Sequence, residues 1–279
     1  MRILFSAFAA TLITVSVAQA ADPPAEAAPP PPDFDIAFGA KWLSDYNFRG
    51  VSQTDRDYGF QGYIEPKYKW FYIGAAGWST RLPTRPTGEF DFYGGVRPVF
   101  GNLSFDFGAT YYYYGKETQL FFQGAPITPR ETSYVEPYAK VAYNFDDKGS
   151  LGLAVYHAPN YLNSGAFGTY LSGTWSIALP NDFSFSGEIA RYFFGRVDPF
   201  LGGINLPEYT YWNLGLTYSV QNTWKFDVRY HQTDLNQAQC QTLTTDPRGL
   251  VSGRSRWCGA AIVGTISFDT NWSSLKWPL

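Results

Sequence analysis

Beyond residue 20 the sequence has no apolar run long enough to cross a membrane as a helix, so any route through a bilayer would have to use strands. It is also short of charge. Charged residues make up 16% of the chain, against roughly 25% in a soluble globular protein. The net charge is −3, and Lys and Arg are not gathered into a basic face, so there is no nucleic-acid footprint. Two His and two Cys, with no H-x-x-x-H spacing and no thiol cluster, leave no metal site and no cofactor to expect. What the chain has in quantity is aromatics: 21 Tyr, 23 Phe and 9 Trp, or 19% of all residues. Few charges, many aromatics and no membrane helix fit a chain whose spans are strands and whose outer surface meets lipid.

The first twenty residues, "MRILFSAFAATLITVSVAQA", have one basic residue, Arg2, then an apolar run, then Ala18-Gln19-Ala20. This is the pattern of a secretory signal peptide over residues 1–20, with cleavage expected after Ala20. No cysteine stands at that point, so a lipid-anchored start is not supported. "ADPPAEAAPPPPDF" follows; its prolines cannot join a sheet ladder, and residues 21–33 read as an extended tether.

From residue 34 the dominant period is two. In "WKFDVRYH", Trp224, Phe226, Val228 and Tyr230 share one face while Lys225, Asp227, Arg229 and His231 share the other. No helical template fits such segments as well. Twelve of them stand at approximately 34–49, 58–69, 71–80, 89–100, 103–114, 131–144, 150–158, 167–179, 183–194, 208–219, 223–233 and 257–268. Their connections alternate between tight turns and long loops without exception. A soluble β-sandwich has no reason to keep that alternation, whereas a membrane barrel has short periplasmic turns and longer external loops. The predicted fold is therefore all-β: a transmembrane antiparallel up-and-down barrel of twelve strands over residues 34–268, with a C-terminal extension at 269–279. Trp70, Phe100, Tyr143, Phe183, Trp224 and Phe268 fall at one rim and Trp42, Tyr58, Phe90, Tyr111 and Trp212 near the other, as aromatic girdles do.

The stretch "SDYNFRGVSQTDRDYGFQGYIEPKYKWFYIGAAGWST" closely resembles the start of the TorF-like family of outer-membrane porins. The recurring elements are "DYNFRGVSQT", a second strand like "QGYIEPKY", and "FYIGAAGWS". The likeness is specific over residues 38–115 and fades to general barrel character beyond. It implies a bacterial outer-membrane barrel with a channel role. The last predicted strand closes on Phe268, as outer-membrane barrels close on an aromatic, but here "DTNWSSLKWPL" follows.

With Ile36, Phe38, Ala40 and Trp42 outward, the same parity puts Tyr46 and Phe48 on lipid and Lys41, Asp45, Asn47 and Arg49 inside. Applied to every strand, this parity yields an inward basic set of Lys41, Arg49, Lys67, Lys69, Arg97, Lys140, Lys225 and Arg229. The acidic set is Asp45, Glu65, Glu89, Asp91, Asp106, Glu136, Glu188 and Asp227. Inward charges must be hydrated or paired, so they either line a wet lumen or hold a filled interior together. The sets nearly balance, and no ion preference follows. Inward Tyr63, Tyr93, Tyr112 and Tyr138 make a filled interior credible. Cys240 and Cys258 bracket seventeen residues of the longest external loop, and in an oxidising compartment such a pair is most simply a disulfide.

A lipid-modifying outer-membrane enzyme is the minor alternative. His157 sits at the external rim with Pro159 beside it, and His231 precedes Thr233 and Asp234, but adjacency in sequence does not orient a base, a hydroxyl and an acid. No catalytic residue is assigned. The expected function is passive diffusion of small hydrophilic solutes across the outer membrane, with membrane lipids and lipopolysaccharide as surroundings. The main alternative is a closed structural or surface-interaction barrel.

Overall fold

Side chains that alternate between apolar and polar can satisfy both faces of a strand only when lipid or a core lies on one side and polar groups on the other. The computed structural model describes residues 32–146 and 148–275 and resolves this alternation into a closed barrel. The expected signal peptide, all but the last two tether residues, and residues 276–279 of the extension lie outside the described residues.

The twelve strands are β1 (Phe34–Leu43), β2 (Gly59–Tyr68), β3 (Phe71–Trp78), β4 (Glu89–Val96), β5 (Leu103–Tyr114) and β6 (Tyr134–Asn144), then β7 (Gly149–Ala158), β8 (Gly168–Ala178), β9 (Phe183–Phe194), β10 (Tyr209–Val220), β11 (Trp224–Thr233) and β12 (Ala261–Asn271). Each pairs antiparallel with the next, and β1 pairs with β12 from Ala37–Asn271 to Leu43–Thr265, which closes the barrel. β4 breaks at Arg97-Pro98 and resumes over Val99–Phe100, because proline has no N–H to give a ladder. Short turns and long loops alternate around the circle as expected.

Three boundaries differ from the sequence reading in ways that matter. The first strand stops at Leu43 rather than running to residue 49, so Tyr46 and Phe48 do not face lipid. Leu43 is opposite Gly59 of β2 and Thr265 of β12, and the registers end there on both sides. The last strand starts at Ala261, leaving Trp257 and Cys258 in the loop before it. At its other end, Asp269, Thr270 and Asn271 continue the ladder opposite Gly39, Phe38 and Ala37, so the expected extension begins as barrel. A short 3-10 turn, Trp272–Ser274, then docks on β1, where the Ser273 hydroxyl donates to Asp35 at 2.7 Å.

The exterior is apolar. Ile64, Ile73, Leu153, Ile189, Val228 and Ile262 each stand at least half exposed on the outer wall. Burying one such side chain is worth about 1.5–3 kcal/mol, so a whole wall of them is stable only against hydrocarbon. The aromatic residues assigned to the two rims are exposed there, Phe268 partly so. The packed core lies inside the barrel, at its long-loop end. It gathers Val51, Tyr170, Tyr192, Phe194, Tyr209, Tyr211, Cys240 and Trp257.

Candidate functional site

After Leu43 the chain turns into the barrel, and a set of short polar contacts shapes the turn. The Asp45 carboxylate accepts from the hydroxyls of Ser52 (2.5 Å) and Thr54 (3.1 Å), drawing residues seven and nine places on back to the strand end. Thr54 Oγ1 in turn accepts from the Tyr46 N–H at 2.9 Å. Between them Asn47–Phe48 pairs with Val51–Ser52 as a small hairpin. Its two central residues, Arg49 and Gly50, have φ of 50° and 86°, the positive pair that a tight primed hairpin turn requires. A Cβ at Gly50 would also come within 2.3 Å of Thr233 Cγ2, so this tip fits against the wall only as glycine.

At the tip Arg49 spans the barrel. Its guanidinium donates two parallel hydrogen bonds to Glu136 on β6, both at 2.8 Å, and a third to the Tyr192 hydroxyl at 3.0 Å. β6 lies five strands round from β1, close to the opposite wall. Glu136 is completely buried and Arg49 8% exposed, so the pair is shielded from water. The rings of Tyr170, Tyr156, Phe48 and Tyr192 surround the cation at 4.3–5.1 Å from its centre, and Tyr112 donates to Glu136 at 3.2 Å. Tyr209 completes the seat by donating to the Arg49 carbonyl at 3.0 Å. Aromatic faces and a bidentate carboxylate are what a planar guanidinium needs once it leaves water. On the other side of the loop, Tyr46 stacks on Trp78 at 4.1 Å and donates to Glu89 at 2.7 Å, while Trp78 donates to Asp91 at 2.8 Å.

The last long loop lies over the first. Ser52 donates to the Trp257 carbonyl at 2.9 Å, Val51 bridges to Cys258, and Arg56 donates to the carbonyls of Arg256 (3.1 Å) and Cys258 (2.9 Å). Cys240, on the helix α1 (Gln237–Thr244), is joined to Cys258 by a disulfide.

The short-turn half of the interior is a different environment. Arg97 holds the buried Glu65 with bonds of 2.5 and 3.2 Å and reaches Asp106 at 3.2 Å. Asp106 also accepts from Tyr72 at 2.5 Å and lies 3.5 Å from Lys140. Here the side chains of Arg97, Asp106 and Lys140 keep 16–20% of their surface open to water. On the far wall Arg229 binds Asn213, Ser186 and Asp227 at 2.7–3.0 Å, and Glu188 accepts from Tyr170 at 2.7 Å. Lys67 lies 3.9 Å from Asp35, Lys41 stands 5.9 Å from the Trp78 ring, and Lys225 is half-buried between Ser219 and Ser267. Lys69 does not face inward: β2 ends at Tyr68, and Lys69 is exposed on the turn, 3.8 Å from Asp33.

The inward charges thus form several networks rather than one row. Asp45 and Arg49 reach the interior from the folded-in loop and not from a strand face. The residues that sequence parity missed are the aromatic seat, Phe48, Tyr156, Tyr170, Tyr192 and Tyr209, and Tyr46 on the other side of the loop. A signal was present in the Arg-Gly pair inside "DYNFRGVSQT", a poor strand interior and a good turn. His157 is exposed and pairs with Thr169 at 2.9 Å, and His231 pairs with Tyr211 at 2.7 Å. The Thr233 hydroxyl and Asp234 carboxylate instead accept from the backbone N–H groups of Gly259 and Thr210, so no base–hydroxyl–acid set forms around His231.

A closed antiparallel barrel with an apolar exterior and a charged, loop-filled interior defines a transmembrane β-barrel protein. The chain belongs to the family described as "Bacterial protein of unknown function (Gcw_chp)", which matches residues 26–258. No curated protein is similar to it in sequence. Among solved structures it is similar in fold to one described under "Unveiling the Mechanism Behind the in-meso Crystallization of Membrane Proteins", with TM-score 0.50, 9% identity, and 87% and 85% of the two chains covered. The NanC porin follows at TM-score 0.49 and 8% identity, covering 84% of this chain and 97% of its own. The KdgM porin stands at 0.48 and 10%, covering 84% and 98%. At such identities the likeness is one of fold.

Proposed function

We propose that this protein is a porin-like channel of the bacterial outer membrane for small hydrophilic solutes, narrowed at Arg49 and Glu136. One observation carries the reading. Inside the short-turn half, Arg97, Asp106 and Lys140 remain open to water although the barrel encloses them. A hydrated ionic wall is what passage of polar solutes needs, and a barrel serving only as a scaffold gains nothing from it. The resemblance of residues 38–115 to TorF-like porins points the same way.

The second reading is a closed barrel, and the complete burial of Glu65 and Glu136 favours it. Conductance of the refolded protein in a planar bilayer separates the two. A channel gives discrete steps that scale with salt, larger when Arg49→Ala frees the loop. An inserted barrel that stays silent both as wild type and as Arg49→Ala overturns the channel reading.

A further inference from the structure

Arginines collect at the long-loop mouth. Two adjoining clefts of about 430 and 370 Å³ share a wall made by Asp55, Asp246, Arg248 and Trp257. Six arginines line them: Arg56, Arg81, Arg85, Arg248, Arg254 and Arg256, against the carboxylates of Asp55 and Asp246 alone. Three of the six are already engaged. Arg56 is bound to loop carbonyls, Arg81 to Asp57, and Arg248 to Asp55 and Asp246. Arg85, Arg254 and Arg256 are exposed, and among the described residues no carboxylate pairs with them.

The backbone that presents Arg254 and Arg256 is fixed. Between them the Ser255 hydroxyl donates to Asp246 at 3.0 Å and accepts from the Trp257 N–H at 3.2 Å. The Arg256 carbonyl is held by Arg56, and the disulfide to Cys240 follows at Cys258. Like charges held together in a concave site repel one another until an anion enters, and each guanidinium offers a planar fork that matches carboxylate or phosphate.

We propose that this mouth binds a small, multiply charged anion bearing carboxylate or phosphate groups, taken from solution. Lipopolysaccharide phosphates share that chemistry, but they surround a barrel's outer wall. These clefts face the inner loops instead: the Trp257 indole at their base is buried and donates to Asp55 at 2.9 Å, and Arg56 points toward Asp45 in the interior. The site does not depend on conduction.

The test is calorimetric titration of the refolded protein in zwitterionic detergent with citrate and with pyrophosphate, at low and physiological salt. Saturable binding is expected, weakened by salt and roughly tenfold or more weaker in the Arg254→Gln/Arg256→Gln double variant. Arg130→Gln, which removes an exposed charge from another loop, leaves the affinity unchanged. Absence of saturable binding overturns the proposal, as does equal affinity in the double variant or equal loss in Arg130→Gln. Binding seen only when lipopolysaccharide is added to the micelles also overturns it, and assigns the arginines to lipid. Circular dichroism of each variant confirms that the barrel is folded. A barrel silent in bilayers that still binds citrate loses the channel reading and keeps this one.

Discussion

Arg49 and Arg97 each hold a fully buried glutamate with two hydrogen bonds, yet they sit in unlike surroundings. Arg49 meets Glu136 among four aromatic rings, with 7% of its side chain exposed; Arg97 meets Glu65 with 20% exposed and serves Asp106 as well. The first pair joins a loop to a distant strand. The second joins neighbouring parts of one wall. A desolvated pair acts as a fastening, because neither partner can turn to water when it is broken. Where the arginine and its second acid are partly solvated, as Arg97 and Asp106 are, water takes over part of what is lost.

That contrast can be broken most severely at Arg49. Arg49→Ala leaves Glu136 buried without a counter-charge and should lower stability by about 3–5 kcal/mol, read from urea unfolding in detergent. Adding Glu136→Ala should recover part of the loss, and a double variant no better than the sum of the singles would deny the coupling. Replacing both cysteines by serine comes next. In the chain-entropy treatment it costs about 3 kcal/mol for a loop of this size, and proteolysis within residues 234–260 should quicken. Arg97→Gln should cost less, about 1–3 kcal/mol, since the amide can still donate to the buried Glu65 and water reaches Asp106, while moving the reversal potential toward cation preference. A loss as large as that of Arg49→Ala would erase the distinction between the halves.

The smallest effect marks the fully solvated limit. The backbone N–H of Tyr58, then the Arg81 guanidinium, hold the Asp57 carboxyl below its ordinary range. The folded protein thus favours the charged form. Its contribution is complete above the unfolded value and is lost as pH falls through the folded one. Arg81→Gln should raise the titration midpoint of Asp57, seen by carboxyl NMR, with the barrel's stability unchanged.

Much of the architecture was legible as pattern. Strands such as Leu103–Tyr114 and Phe183–Phe194 run over the residues that period two marks, because lipid and lumen impose opposite demands on alternate side chains. The alternation of short and long connections carried the topology. The inward loop was not legible in the same way. Tyr46 and Phe48 keep the parity of the strand before them, and aromatics suit a lipid face and a packed interior equally. β12 runs on past Thr265 to Ala261, so what takes the chain off the wall is the end of β2 at Gly59 on the other side and the turn that Asp45 makes with Ser52 and Thr54. Inward position could be read for the charges, but their pairing could not. Arg49 and Glu136 stand 87 residues apart, and nothing local links them.

The same separation sets an order of assembly. The seat of the first loop is drawn from β6, β9 and β10, and its cover comes from the loop before β12. These surfaces do not coexist until the final hairpin has arrived and the ring has closed. Contacts of such long sequence separation form slowly, after the local strand pairings around them. The segment that leaves the ribosome among the earliest of the barrel is therefore the one that settles last, and until it does, the interior it will fill stands open.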